Sequence, residues 1–383
     1  MEADTSVLQA TGVRRLRIDW VVHGVFRSQQ EGFTSEFASN RYRAIIPAEQ
    51  LKIAGHSIDF VAAERWHWQP ATRPDLIILG KILPLGNAHE FSALSQQVLK
   101  QVTRAIESGV PVIADFCDDH FDSLELGPHW VQVASLVTFC TAASEALADV
   151  VRRFTRNPVY VIPDPIASPR APTKVFRPAT GIARLLTRLA PRLGTKRLKL
   201  VWYGHPTNWP AMESWGVALE ELSKRYPLVL WVVTKPTPRL LNWIEAFNAR
   251  GSPSAIAEWV EWSEDAQWSY VLDADVVLLP SDPSDPRLSV KSNNRLTDAL
   301  NSGRYVVASA LPSYMPFNAY CSLTEDPGVA LQWIVEHSED ALARVAGGQW
   351  LLRERFSVTA VTKEWSRAIS DAIKSTADQK RFQ

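Results

Sequence analysis

Between residues 288 and 300 the chain reads Leu288-Ser289-Val290-Lys291-Ser292-Asn293-Asn294-Arg295-Leu296-Thr297-Asp298-Ala299-Leu300. Two cations and several small polar side chains here open a helical pattern that ends near Gly303. Ser292 or Asn293 suits the N-cap of that helix. The leading amides of a helix lack intrahelical partners, and the aligned peptide dipoles add partial positive charge at that end. With Lys291 and Arg295 beside it, the end fits a diphosphate. Asp298, about one turn along, is placed to accept hydrogen bonds from a ribose diol. The plain alternative is an ordinary capped helix with a solvated lysine and arginine.

Other residues could contribute to the same chemistry. In Tyr203-Gly204-His205-Pro206-Thr207-Asn208-Trp209 the glycine would let backbone approach a phosphate, and Asn208 could donate to it. One glycine is no dinucleotide fingerprint. Thr234 and Lys235 end the next apolar run, where the lysine could reach a phosphate or simply face water. Trp262 and Ser263 could cover a base and read its edge. Eight of the fifteen tryptophans fall between Trp202 and Trp268, however, so most of them are expected to pack the core.

Lys81, Asp115, Asp118, Asp119 and His120 follow two apolar runs of the first half. If those runs are neighbouring strands, a cation meets several carboxylates, and Asp118, Asp119 or His120 could deprotonate a hydroxyl. The alternative is a salt-bridged loop. Arg41 and Arg43 could hold an anionic acceptor, or form the wet face of a first helix. Asp273-Ala274-Asp275 looks like a metal-binding pair but precedes a strand, whereas ligands meet strand exits, so no metal is assigned to it.

These candidates need positioning, and the pattern supplies it. Short apolar runs alternate with helical segments, the signature of parallel sheets covered by helices. Strands are predicted at Leu16–Val22, Ile58–Ala62, Leu76–Leu79, Val110–Ala114, Leu136–Phe139 and Val159–Ile162, then at Leu198–Tyr203, Leu228–Val233, Ile256–Val260, Val276–Leu279 and Tyr305–Ala308. A helix starting at Asn87, with Glu90 completing a capping box, carries Phe91, Leu94, Val98, Val102 and Ile106 and closes at Gly109. Ser302-Gly303-Arg304-Tyr305-Val306-Val307-Ala308 echoes Ser108-Gly109-Val110-Pro111-Val112-Ile113-Ala114, one domain type used twice.

Five prolines from Pro163 to Pro178 mark the boundary, and residues 166–199 hold nine Lys or Arg and no acid. The expected division is an N-terminal Rossmann-like domain at 1–165, a Pro-rich basic linker at 166–197, a second Rossmann-like domain at 198–357 and a C-terminal helix at 358–383. In the linker Ile182, Leu185, Leu186, Leu189 and Leu193 alternate with Arg184, Arg188 and Arg192. This reads as a solvated linker helix, or else, over 170–199, as a peripheral membrane contact.

Lys plus Arg and Asp plus Glu both number 41, so no global field draws the chain to nucleic acid. The polar, acidic start lacks the apolar core of a secretory signal. No apolar run spans a bilayer. Cys117, Cys140 and Cys321 sit in apolar segments without zinc-site spacing and read as reduced thiols, so a cytoplasmic location is expected, with a peripheral place on the inner face of a membrane as the alternative.

The stretch from Asn294 to Ala308, with Val260-Glu261-Trp262-Ser263 and Ala274-Asp275-Val276-Val277-Leu278-Leu279-Pro280, resembles the GT-B glycosyltransferases, especially their group-1 (family 4-like) branch. The resemblance implies two Rossmann-like, doubly wound α/β domains facing each other across a cleft. It also implies a nucleotide-sugar in the C-terminal domain, a glycan, lipid-linked or other hydroxyl acceptor in the N-terminal domain, and no obligatory metal. The nucleotide-sugar would be a co-substrate, with no other cofactor and no nucleic-acid partner. Bacterial surface polysaccharide or glycoconjugate synthesis is the expected setting.

Many members of the branch carry two glutamates eight positions apart. Asp298 matches the second, while Val290 stands where the first would be. The stereochemical outcome therefore stays open, as do base, sugar and acceptor. A nucleotide-sugar 2-epimerase and a non-catalytic nucleotide- or carbohydrate-binding module are the alternatives within this architecture.

Overall fold

The computed structural model describes residues 14–28, 32–35, 37–82, 88–177, 196–250, 254–282 and 284–381. They form two compact units. The first gathers the described residues of Met1–Pro165, Val290–Ser292 and Arg355–Gln383; the second takes those of Ile166–Ser289 and Asn293–Glu354.

The first unit holds β1 (Arg17–Val22), a small antiparallel hairpin of β2 (Phe26–Ser28) and β3 (Gly32–Thr34), then β4 (Ser57–Ala62), β5 (Leu76–Leu79), β6 (Val112–Phe116), β7 (Phe139–Ala142) and β8 (Val159–Val161). Apart from the hairpin these make one parallel sheet in the order β4-β1-β5-β6-β7-β8. β5, β6 and β7 are buried at every position, as a sheet covered on both faces requires. Pro111 has no N–H to give the ladder, and β6 begins at Val112 rather than Val110. Asp115 is thereby drawn into the strand instead of following it. The apolar run before β7 is shared out differently too: helix Gly127–Leu136 takes Leu136, and the strand starts at Phe139.

Two apolar cores sandwich this sheet. Phe91, Val98 and Val102 of helix Ala88–Glu107 pack one face at the predicted helical spacing, with Trp130 and Val133 of the following helix. The expected cap at Asn87 lies outside the described residues. Trp20 and Trp365 anchor the other core, their rings 5.1 Å apart, so helix Val358–Arg381 packs on the first unit.

The second unit contains β9 (Leu198–Tyr203), β10 (Leu228–Thr234), β11 (Ala255–Glu261), β12 (Val276–Leu279), β13 (Tyr305–Ala308) and the short β14 (Ser322–Leu323). Its parallel order is β11-β10-β9-β12-β13-β14. Counted within the unit this is 3-2-1-4-5-6, with the switch point between β9 and β12, where open α/β sheets bind ligands at the strand exits. The echo seen in the sequence is real in conformation, since Gly109 and Gly303 both adopt φ 72°. At Gly303 a side chain would also collide with the Pro172 carbonyl.

The first part of the linker is a tightly held strap on the second unit. Ser302 donates to the Pro169 carbonyl at 3.2 Å, Gln349 to Ala171 at 2.8 Å, and the Lys174 amide to Gly303 at 2.9 Å. The amphipathic pattern at 182–193 lies outside the described residues.

Candidate functional site

At the β9–β12 switch point, the exit of β9 delivers Gly204. The Thr234 hydroxyl at the end of β10 donates to the Gly204 carbonyl at 2.8 Å and fixes that turn. Thr234 is fully buried, so it positions backbone rather than offering itself to a ligand. A Cβ built on Gly204 would lie 3.1 Å from Arg295 Nη1, so the missing side chain is what lets the guanidinium lie over the turn. Two tyrosines hold Arg295 there. Tyr203 donates to its carbonyl at 3.0 Å, and the guanidinium hydrogen-bonds Tyr314. Burial pushes both phenols upward, so they stay neutral.

Helix Asn294–Asn301 starts at this point with Asn293 at the N-cap position, as one of the two predicted caps. The Asn293 side chain makes no capping bond; its Oδ1 is buried without a partner among the described residues. Asn294 Oδ1 instead takes the Arg295 amide at 2.7 Å. Arg295 Nη1 is likewise buried without a partner among the described residues. A buried guanidinium donor at a helix N-terminus and a strand exit is a feature an anion would complete.

His205 and Asn208 flank the turn. His205 is exposed and caps the short 3-10 turn through Thr207, and Asn208 is half-buried. Lys235 is exposed beyond β10. Ser263 caps helix Glu264–Asp273 by accepting the Ala266 amide at 3.0 Å, and Trp262 Nε1 donates to Gln267 at 3.0 Å. Both therefore have local structural duties.

Asp298 is positioned differently from expectation. It is only 1% exposed, and its Oδ1 accepts the Ala167 and Ser168 amides at 2.9 Å each. The carboxylate pins the linker strap, which a free ribose partner would not do.

Lys291 and Ser292, read from the sequence as part of the same phosphate grip, belong to the first unit. The cause is Val290, buried in that unit's apolar core, with its carbonyl accepting the Ser144 hydroxyl at 2.8 Å. Lys291 then lies within the field of Asp118, and the Ser292 hydroxyl reaches Asp164.

The first unit concentrates charge at the exits of β5, β6 and β8. β5 and β6 are neighbours, and Lys81 forms an ion pair with Asp118. Burial alone would raise the Asp118 carboxyl, but Lys81 reverses this and, helped by Lys291 and His120, holds it below the usual range. Asp119 accepts the Phe121 amide at 3.1 Å in a local turn, and His120 stacks on Trp130. Of the three candidate bases, Asp118 alone combines a fixed charge with partial exposure, 21% of its side chain.

Arg43 is not a surface anion hook. It is 3% exposed and pairs with Asp115 at 2.5 Å and Asp164 at 3.2 Å, while also donating to the Ile162 carbonyl. The Thr141 hydroxyl adds a bond to Asp115 at 2.6 Å. Burial keeps the Asp164 carboxyl above the usual range, although Arg43 and Ser292 oppose it. Arg41 is half-buried and donates to the Ser35 carbonyl at 3.1 Å. Asp164 was missed from the sequence because Pro163-Asp164-Pro165 reads as linker; its place just past a strand exit was the available signal. Tyr314 carried no signal, since its contact with Arg295 joins distant segments.

Asp273 is paired with Lys199 at 2.8 Å, and Asp275 accepts the Lys199 amide at 3.0 Å. Lysines thus occupy the Asp-x-Asp pair. Among the described residues no group of three or more His, Cys, Asp or Glu is arranged for a metal ion.

Two all-parallel Rossmann-like sheets in one chain match the GT-B fold. No protein-family model and no curated protein sequence matches the chain. Solved structures do. HepE of Anabaena in complex with UDP and glucose is 11% identical, with 93% of this chain and all of HepE covered at a TM-score of 0.60. A glycosyltransferase from Rickettsia africae is 12% identical over 94% of this chain and 100% of its own, TM-score 0.57. WaaG, a glycosyltransferase involved in lipopolysaccharide biosynthesis, is 12% identical over 92% and 99%, TM-score 0.58.

Proposed function

We propose that this chain transfers a glycosyl group from a nucleoside-diphosphate sugar to a hydroxyl acceptor. The observation that carries the reading is the guanidinium of Arg295, held by Tyr314 over the Gly204 turn at the sheet's switch point, with a buried donor left to give. Negative charge grows on the leaving diphosphate as the glycosidic bond breaks, and a preorganised cation beside helix amides stabilises that charge. Structures of the shared fold hold UDP, glucose and UDP-glucose in HepE, which supports the choice of donor class.

In this reading Arg295 and the N-terminus of helix Asn294–Asn301 do the work that a divalent metal does elsewhere, and no cofactor besides the co-substrate is used. Asp118 takes the acceptor's proton, kept ionised by Lys81. The acceptor is a glycan or a lipid-linked hydroxyl of surface polysaccharide synthesis, met in the cytoplasm or at the inner membrane face. No helix of the described residues is long and apolar enough to cross a membrane, so contact there would be peripheral, through residues 170–199.

The test is a thermal-shift screen with UDP, GDP, TDP and CDP on the wild type and on Arg295→Ala. A ligand that binds the folded state raises the melting temperature. One nucleotide is expected to stabilise the wild type and to lose that effect in the variant. No shift with any of the four, or an equal shift in both proteins, overturns the proposal. Isomerisation of donor sugars without any acceptor would favour a 2-epimerase instead.

A further inference from the structure

At the opposite end of β9 from Gly204, the amino-terminal edge of the second sheet carries a row of charge that the nucleotide reading does not use. Lys199 pairs in register with Val229 of β10. Val276 pairs with Leu200 and with Tyr305, which sets Asp275 beside Lys199 on one side and Arg304 on the other. Lys174 of the linker strap then bridges to Arg304. Across four neighbouring backbone segments the row runs Lys199, Asp275, Arg304, Lys174.

Lys174, Lys196, Arg197, Lys199 and Asp275, with Val229, line a cavity of about 440 Å³, within the range of small-molecule sites. The charges there are unbalanced. Asp273 and Asp275 are shared by Lys174 and Lys199. Arg304 also leans on those two carboxylates. It is 4% exposed, its Nε has no partner among the described residues, and burial holds its guanidinium below its ordinary value despite them. Lys196 and Arg197 add two more cations at the rim. Lys174, Lys199 and Arg304 thus share two carboxylates in a chain whose overall charge is zero.

We infer that this cavity binds a phosphoryl-bearing anion the size of a lipid headgroup or small phosphate ester. Lys174, Lys196 and Arg197 would bind the phosphoryl oxygens directly, and the buried Arg304 would add field from behind. Two of the lysines are already held by aromatic rings: Lys196 Nζ lies 5.3 Å from the Phe176 ring centre and Lys199 Nζ 5.5 Å from that of Trp231. Less side-chain freedom is therefore lost on binding. The site stands apart from Arg295, so its failure leaves the nucleotide reading intact.

Binding of glycerol phosphate, and of vesicles of phosphatidylcholine with or without phosphatidylglycerol, tests the inference. It is measured on full-length Arg295→Ala protein, so that the nucleotide site does not compete. Lys174→Gln with Lys196→Gln is expected to weaken binding at least tenfold. Asp273→Asn removes a competing carboxylate and is expected to tighten it severalfold, a gain that a misfolded variant cannot produce. Saturable glycerol phosphate binding identifies a soluble source; binding only to anionic vesicles, lost in the double variant, identifies a headgroup. Either carries the inference. No binding of any probe, or binding that neither variant alters, overturns it.

Discussion

Replacing Asp298 by alanine separates two jobs that one carboxylate could hold. In the structure its Oδ1 receives the Ala167 and Ser168 amides at 2.9 Å, and the Ser168 hydroxyl returns to the Asp298 carbonyl at 2.9 Å. Asn301 then grips Ser168 twice at 3.0 Å, so the leading part of the strap is tied down here. Alanine removes two charge-assisted bonds, each worth about 1.5–3 kcal/mol, and strands the Ser168 amide in a buried place. Solvent can still reach the half-buried Ala167, so a total near 3–4 kcal/mol is expected, toward the low end of that sum. For a unit of this size each kcal/mol moves the midpoint by about 2–4 °C, so the thermal transition of the second unit should fall by about 6–15 °C. Calorimetry without ligand reads this directly, and nucleotide affinity is measured below the transition. A midpoint within about 2 °C of wild type together with weakened nucleotide binding would refute the strap and restore the ribose role.

Arg295→Gln keeps a polar side chain but loses the charge and the reach of the guanidinium, and should weaken nucleotide binding about 10- to 100-fold by calorimetry, the cost of a lost charged partner. Arg43→Ala leaves Asp115 and Asp164 buried without their cation and should cost about 3–5 kcal/mol in denaturant unfolding at pH 8. The loss should shrink as the pH falls, since the Asp164 carboxyl, raised by burial, takes up a proton there. The Asp19 carboxyl is raised to about 6, chiefly by burial, with Arg17 opposing. Folding therefore tightens its hold on a proton, and the protein loses stability as the pH climbs from about 4 through 6. Asp19→Asn should accordingly be more stable than wild type by about 1–2 kcal/mol at pH 8, with the advantage gone at pH 4. An advantage that persists at pH 4 would assign it to packing instead.

Sequence periodicity found ten of the strands in the two parallel sheets because each is a short apolar run with punctuation on both sides, and it met β7 only at Phe139. What it missed has a physical pattern. Gly32–Thr34 and Ser322–Leu323 are too short and too polar to show a period, and they exist only because a neighbour pairs with them. Pro111 shifted a boundary by two residues, and that shift buried Asp115. For the site, the helix opening at Asn293, Arg295 and the Gly204 turn were legible, since helix ends and strand exits are written locally. The charges of Arg43, Asp298 and Lys174 were not. Each looks solvated in one dimension and is paired with a residue 72 to 131 positions away. Linear spacing carries no record of such partners, and burial decides whether a charged side chain meets a ligand or its own chain.

Val290 shows how that decision reshapes a resemblance. Where the family-like pattern would put a glutamate facing the donor sugar, this chain has an apolar side chain 7% exposed in the core of the first unit. Its carbonyl is fastened to Ser144, whose hydroxyl also caps helix Glu145–Arg152 by accepting the Leu147 amide at 3.2 Å. A carboxylate in that place would lose its hydration in an apolar core, at a cost of several kcal/mol. Val290 instead acts as an anchor that fixes Lys291 and Ser292 against the acidic cluster of Asp118 and Asp164. A donor sugar bound to the second unit then has to be met by groups other than this residue, and at the switch point of that unit Arg295, over the Gly204 turn, has a buried donor without a partner among the described residues.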